Sequence, residues 1–196
     1  MRFTCEKSML VTGLNITGRT VAQKSSLSVI EGILCKAGHG LSLTGYNMET
    51  AITYQIEAEV SDPGECILPA RLFGDIIRRL PEGPVTVVVD DNFKVSIRSG
   101  YASFTISAES AEDYPELPDV GSGRSISIPQ SALKDLIGGT IFAVSENQAR
   151  PIHTGVKFEV EDTTISAIAV DGFRLARRTY HTEDATGRTM SFVVPA

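Results

Sequence analysis

The side chains that could do acid–base, metal or nucleophilic chemistry are scattered through this sequence. His39, His153 and His181 stand apart from one another and from the cysteines, without the four-residue helical spacing of a paired-histidine zinc site. Cys5, Cys35 and Cys66 are odd in number, widely separated and set in strand-like stretches. They read as small buried thiols in a reducing, cytoplasmic setting rather than as disulfides or metal ligands. Asp90-Asp91 offers paired carboxylates, but with Asn92 it sits between two alternating apolar runs and reads better as a hairpin turn. A hydrolase would have His153 and Asp171 to work with. No Gly-x-Ser-x-Gly elbow, P-loop or dinucleotide fingerprint is present, and Gly121-Ser122-Gly123 falls in a linker-like run. The expectation is a non-catalytic protein with no metal and no cofactor, built for binding or architecture.

Charges that could meet a polyanion are better organised. Arg71, Arg78 and Arg79 share one face of an amphipathic run with Asp75, opposite Leu72, Phe73, Ile76, Ile77 and Leu80. Asp75 is four residues from both Arg71 and Arg79, so a solvated, salt-bridged helix face accounts for them. The alternative is that equivalent helices line one surface, where Arg and Lys meet phosphates without reading bases. The net charge is −6: residues 1–120 carry 10 basic and 16 acidic side chains, residues 121–196 carry 8 and 8. Any nucleic-acid contact must therefore rest on local patches.

The elements that position these groups repeat. Cys66-Ile67-Leu68-Pro69-Ala70 is nearly rewritten as Phe192-Val193-Val194-Pro195-Ala196, with looser versions at Ser127-Ile128-Pro129-Gln130 and Thr4-Cys5-Glu6-Lys7, a spacing of roughly 60 to 66 residues. Each unit reads as a strand, a helix and three further strands. Unit two is clearest: a helix ended by Pro81, Gly83 and Pro84, then strands Val85–Val89, Phe93–Arg98 and Tyr101–Ser107, with a break at Ser99-Gly100. Unit three offers Val156–Val160, Thr164–Val170 and Phe173–Tyr180. Unit one offers Leu27–Cys35, Leu41–Thr44 and Ala51–Val60. Its helix, between Ser8 and Val21, contains Gly13, Gly18 and β-branched residues, so packing must hold it.

A run of acids, prolines and glycines from Ala111 to Gly123 separates two domains, 1–121 with two units and 122–196 with one unit and the opening of the next. About 75 residues of the second domain would leave an apolar face uncovered. No apolar run approaches the roughly 20 residues of a membrane helix, and no membrane partner or signal peptide is expected.

Several segments together carry a resemblance: Met1-Arg2-Phe3-Thr4, Leu41 to Glu49 (LSLTGYNME), Leu68 to Phe73 (LPARLF), Leu80-Pro81-Glu82-Gly83, Ile97-Arg98-Ser99-Gly100, Glu112-Asp113-Tyr114-Pro115 and Ala169 to Ala176 (AVDGFRLA). In this order, along essentially the whole chain, they resemble the beta subunit of bacterial DNA polymerase III, the sliding-clamp family. The resemblance implies an α+β DNA clamp fold of repeated strand-helix-three-strand units, antiparallel sheets outside and helices inside. Three domains of two units would make each chain, and two chains would close head to tail as a homodimer around duplex DNA. This sequence would then hold domain one, about half of domain two and none of domain three, as a piece of a longer protein that does not close a ring by itself.

The implied function is that of a processivity factor. A closed ring cannot leave DNA sideways, so weak sequence-independent phosphate contacts suffice even in an acidic protein. Implied DNA contacts are Lys24, Gln148 and Arg150, with Arg71, Arg78 and Arg79 on the pore side; Pro151 and Ile152 stand where some members carry aromatics. Implied peptide-pocket residues are His153, Val170, Gly172, Phe173, Arg174 and Leu175, serving the polymerase III alpha subunit, the clamp loader, other polymerases and repair proteins. Phe173 and Leu175 are expected along a strand edge, as an apolar floor beside Arg174, although core positions would account for them equally. With the rest of the pocket beyond Ala196, peptide binding should be poor. The implied dimer edge is Tyr101–Ser107, with Tyr101, Phe104 and Ile106. A stand-alone α+β adaptor that binds proteins without encircling DNA is the alternative.

Overall fold

Local pattern and turn chemistry assemble two compact units, Met1–Pro118 and Asp119–Ala196. The computed structural model describes residues 1–117, 126–182 and 187–196. The boundary expected between residues 121 and 122 lies outside the described residues.

The first unit runs β1 (Arg2–Glu6), α1 (Lys7–Thr17), β2 (Gly32–Ala37), β3 (Leu41–Tyr46), β4 (Ala51–Ile56), β5 (Glu59–Asp62), β6 (Gly64–Pro69), α2 (Ala70–Arg79), β7 (Pro84–Val89), β8 (Lys94–Ser99) and β9 (Ala102–Ser107). Its two antiparallel sheets are ordered β5-β1-β7-β8-β9 and β4-β3-β2-β6. Side chains from both sheets and both helices share one core, including Phe3, Leu10, Leu14, Leu43, Phe73, Ile77 and Ile97. α1 is indeed held by packing. A side chain on Gly13 would press on Ile56, Leu43 and Tyr54, so glycine lets the helix lie close on β3 and β4 at the expense of intrinsic propensity.

Three expectations need correction here. Residues Ser28–Glu31 form a 3-10 turn, not the start of a strand. The run 51–60 breaks in two, because β4 pairs with β3 while β5 crosses to pair with β1 in the other sheet. Leu72, placed on the apolar face of α2, is half exposed, and the buried face is Phe73, Gly74, Ile76 and Ile77. The turn at Asp90 is as read: its carboxylate accepts from the Asn92 and Lys94 amides, although Phe93 joins the turn at φ +57° rather than opening β8.

The second unit runs α3 (Gln130–Gly138), β10 (Gly155–Glu161), β11 (Thr164–Val170), β12 (Leu175–His181) and β13 (Thr189–Pro195). Its sheet, β12-β11-β10-β13, repeats the order β4-β3-β2-β6. The registers match: Gly32 faces Pro69 as Gly155 faces Pro195, and Cys35 faces Cys66 as Phe158 faces Phe192. Ser127-Ile128, read as an extended stretch, lies in no strand, since no described residue offers it a pairing edge.

The repeat also shows what is open. Cys66, Ile67 and Leu68 are at most 2% exposed, whereas their counterparts Phe192, Val193 and Val194 are 43%, 38% and 40% exposed. With Glu6 aligned on Pro129, Leu10 and Leu14 correspond to Leu133 and Ile137. The first pair is buried in the core shared by both sheets and both helices, and the second is more than a third exposed.

The three cysteines are free and buried, as expected. Burial pushes the Cys5 thiol up to about 12. The Cys66 thiol opposite, then burial, raises Cys35.

Candidate nucleic-acid and partner surfaces

In the first unit, Lys24, Arg71 and Arg78 come together on one cleft of about 1040 Å³, with Leu14, Val21 and Ile33 among its apolar lining and Glu31 and Asp75 as its acids. Three cations against two carboxylates leave this patch one positive charge in a chain of net −6. The acids are partly engaged. Asp75 accepts from Arg78 at 3.2 Å, one turn away rather than through the four-residue pairs read from the sequence, and Glu31 accepts from the Ser25 amide at 2.9 Å. Arg78 also donates to Asn15 of α1 at 3.3 Å. Its guanidinium lies over Gly74, where a side chain would crowd it. Lys24, Arg71 and Arg79 make no ion pair among the described residues. Arg79 is exposed on α2 but does not line the cleft.

The edge strand β9 departs from expectation at two of three residues. Tyr101 is 96% exposed but precedes the strand, in the turn after Gly100. Ile106, opposite Val95, is 9% exposed and belongs to the core. Phe104 is 42% exposed, and β9 ends its sheet with one edge that pairs with no other described strand.

In the second unit, Gln148 and Arg150 sit on an exposed loop closed at its base by the Ser145 amide on the His153 carbonyl, 2.8 Å. Asn147 organises the loop by accepting from the Ala149 amide. His153 is half buried, and β10 begins two residues later. Since Lys157 pairs with Ile168, His153 lies at the same end of the sheet as Val170.

Val170, Gly172, Phe173, Arg174 and Leu175 are gathered by the β11–β12 turn. Asp171 accepts from the amides of Phe173 at 2.9 Å and Arg174 at 3.1 Å, and from the Arg174 guanidinium at 2.8 Å. Gly172 takes φ +94°, a conformation that favours glycine. The Phe173 amide, then Arg174, holds the Asp171 carboxyl below its usual range. These bonds commit Asp171 to building the turn, which argues against its use beside His153 in hydrolysis. Arg174 lies 6.0 Å over the Phe142 ring, a contact the sequence reading missed.

Phe173 is fully exposed and Leu175 is 67% exposed. Neither is a core residue, and Phe173 is in the turn rather than along the strand, so it forms no floor within this unit. The same turn recurs in the first unit, unnoticed in the sequence. Asn47 accepts from the Glu49 and Thr50 amides, and Met48 takes φ +73° where Gly172 stands in the repeat. Aligning TGYNMETA on IAVDGFRL was the signal that could have found it.

Among the described residues no group of three or more His, Cys, Asp and Glu could hold a metal ion, and no helix is long and apolar enough to cross a membrane.

Repeated helix-and-antiparallel-sheet units, with a cationic cleft against the helices, define an α+β protein of the sliding-clamp class. Solved structures superpose closely: the Bacillus subtilis DNA polymerase sliding clamp at TM-score 0.94, 33% identity, covering 100% of this chain and 54% of that one; and the Pseudomonas aeruginosa DNA polymerase III beta subunit at 0.92, 30% identity, with 100% and 54% covered. Among curated relatives, the beta sliding clamp of Halalkalibacterium halodurans is 34% identical over 187 residues, 91% of this chain and 49% of that protein. That of Bacillus subtilis is 33% identical over 204 residues, 100% and 54%. The family models for the N-terminal and central domains of the DNA polymerase III beta subunit match residues 1–118 and 127–196. The chain belongs to the DNA polymerase III beta subunit family. It spans about half the length of the curated relatives it matches.

Proposed function

We propose that this chain is part of a sliding clamp: a processivity factor that, as a head-to-tail homodimer of full-length chains, encloses duplex DNA and tethers the replicative polymerase. The observation that carries this reading is the match of both units, in order, to the two family domains. The cleft with Lys24, Arg71 and Arg78 fits weak phosphate contact: three cations and two acids line it together with Leu14, Val21 and Ile33. Arg79, Gln148 and Arg150 extend the contact set as exposed groups. Partners would hold on through the Val170–Leu175 turn with His153, where Phe173 and Leu175 offer apolar surface beside Arg174. Phe104 and the open β9 edge would form the subunit contact. The role is non-catalytic and cytoplasmic. Primer extension by the replicative polymerase on a closed circular template tests it: the full-length ring should lengthen products in a single binding event, and unchanged product length would remove the proposal.

A further inference from the structure

The two acids of the cationic cleft in the first unit differ in what they hold. Asp75 is engaged by the Arg78 guanidinium on its own helix. Glu31 holds backbone instead, its carboxylate accepting from the Ser25 amide at 2.9 Å. Ser25 follows Lys24 directly, so that bond fixes the peptide beside one of the three cations that line the cleft.

The loop that carries Lys24 depends on such a bond. It leaves the core at buried Thr20, whose hydroxyl donates to the Gly45 carbonyl at 2.9 Å. It returns at buried Ile30, whose carbonyl accepts from the Ala22 amide at 3.2 Å. Between these anchors Gln23, Lys24, Ser26, Leu27 and Ser28 are all exposed, so no apolar side chain among them is sunk in the core. Ser25 organises the tip: its amide donates to Glu31, and its hydroxyl accepts from the Leu27 amide at 3.1 Å. Glu31 is itself firmly placed. It closes the 3-10 turn Ser28–Glu31, and Gly32 after it opens β2 so close to Ile67 that a side chain there would overlap it. One side chain therefore ties the tip that bears Lys24 to the start of a sheet strand.

A carboxylate in this place has two opposed effects on a phosphate held at the cleft. As a charge it repels, by about threefold in affinity at about 7 Å through water. As an acceptor it keeps the tip ordered beforehand, so that binding does not have to order it. We propose that Glu31 is a positioning residue for Lys24, an acid that assists phosphate contact by holding the loop that presents the cation. The inference rests on the DNA reading of this cleft given above and adds to it a role for one of the two acids.

The test is an anisotropy titration of the 196-residue chain with a short fluorescent duplex at about 50 mM salt, where phosphate contacts count most. Glu31→Gln keeps an acceptor oxygen for the Ser25 amide and loses the charge, so binding should strengthen by about threefold. Glu31→Ala loses both and should bind about threefold or more weaker than Glu31→Gln, since the tip must then be ordered on binding. With Lys24→Ala already in place, the two Glu31 variants should bind equally, because no cation remains for the loop to present. Equal affinities of the two variants beside an intact Lys24 would overturn the proposal and leave Glu31 as a charge alone. A difference that persists beside Lys24→Ala would also overturn it, as the mark of a general disturbance of the fold. If Lys24→Ala by itself leaves the affinity unchanged, the DNA reading of this cleft fails and the positioning role falls with it. If Lys24→Ala weakens binding while the two Glu31 variants agree, the DNA reading stands and only the positioning role is lost.

Discussion

Removing the Arg71 guanidinium should flatten the salt dependence of duplex binding by an amount set by the number of phosphates contacted. Each phosphate neutralised contributes about 0.9 to the slope of log affinity against log salt. Between about 50 and about 200 mM salt, one contact is therefore about half a log unit, or roughly 3.5-fold. Arg71 has no carboxylate partner in the cleft, so Arg71→Ala should remove one contact and nothing else. Arg78 differs because it neutralises Asp75 at 3.2 Å. Arg78→Ala removes a contact and also leaves a bare carboxylate, which at about 7 Å from a phosphate in water repels it by roughly 0.6 kcal/mol, a further factor of about three. Asp75→Asn should strengthen binding by about the same factor. Arg98, exposed on β8, serves as a control. Anisotropy of a short fluorescent duplex across a salt series reads all four variants. An unchanged slope in Arg71→Ala, or an equal change in Arg98→Ala, would refute the assignment of this cleft to DNA.

Four further outcomes are expected. Tyr114→Ala should lower the urea midpoint of the first unit by the equivalent of about 3–5 kcal/mol, the range for truncating a buried aromatic, while Tyr114→Phe, losing one long hydrogen bond, should cost no more than about 1 kcal/mol. Stability should also fall at alkaline pH. Burial raises Cys5 from 9.0 and Tyr114 from 10.0 to about 12, so the folded state retains protons that the unfolded chain has released. The stability is complete below the unfolded values and is lost as pH climbs toward 12; thermal melts across that window should show the Tyr114→Phe variant spared in its upper part. Gly45→Ala should destabilise strongly, by about 2 kcal/mol or more in chemical denaturation, because the new methyl would overlap the Thr17 carbonyl oxygen at the end of α1. Asp171→Ala should unmake the β11–β12 turn and weaken partner-peptide capture in a pull-down, whereas Leu117→Ala, an exposed side chain of the first unit, should not.

The repeat made most of the fold legible. Once Pro69 was set against Pro195, the second unit read as another strand-helix-three-strand unit, and the structure gives its sheet the same strand order as one sheet of the first. α2 was readable from its amphipathic spacing and its flanking prolines. What the sequence hid was decided by tertiary partners. Leu72 is half exposed and Ile106 is buried in the core, and neither outcome is written in local pattern. The split of residues 51–60 required knowing that β5 pairs with β1. Of the candidate sites, the cluster of Lys24 with Arg71 and Arg78 is long-range and invisible to spacing, while the Asp171 turn was visible as a motif but not as a geometry. Tyr114 was read as linker because acids and prolines surround it. The ring's own burial on Leu34, Tyr46 and Ile67 outweighs that composition.

The central claim is topological retention on DNA. A ring completed to the family's full length and loaded on duplex DNA should persist on closed circles and be lost when the circle is linearised, since only free ends allow it to slide off. Equal, salt-sensitive release from circular and linear DNA would contradict the account and leave only a binding module.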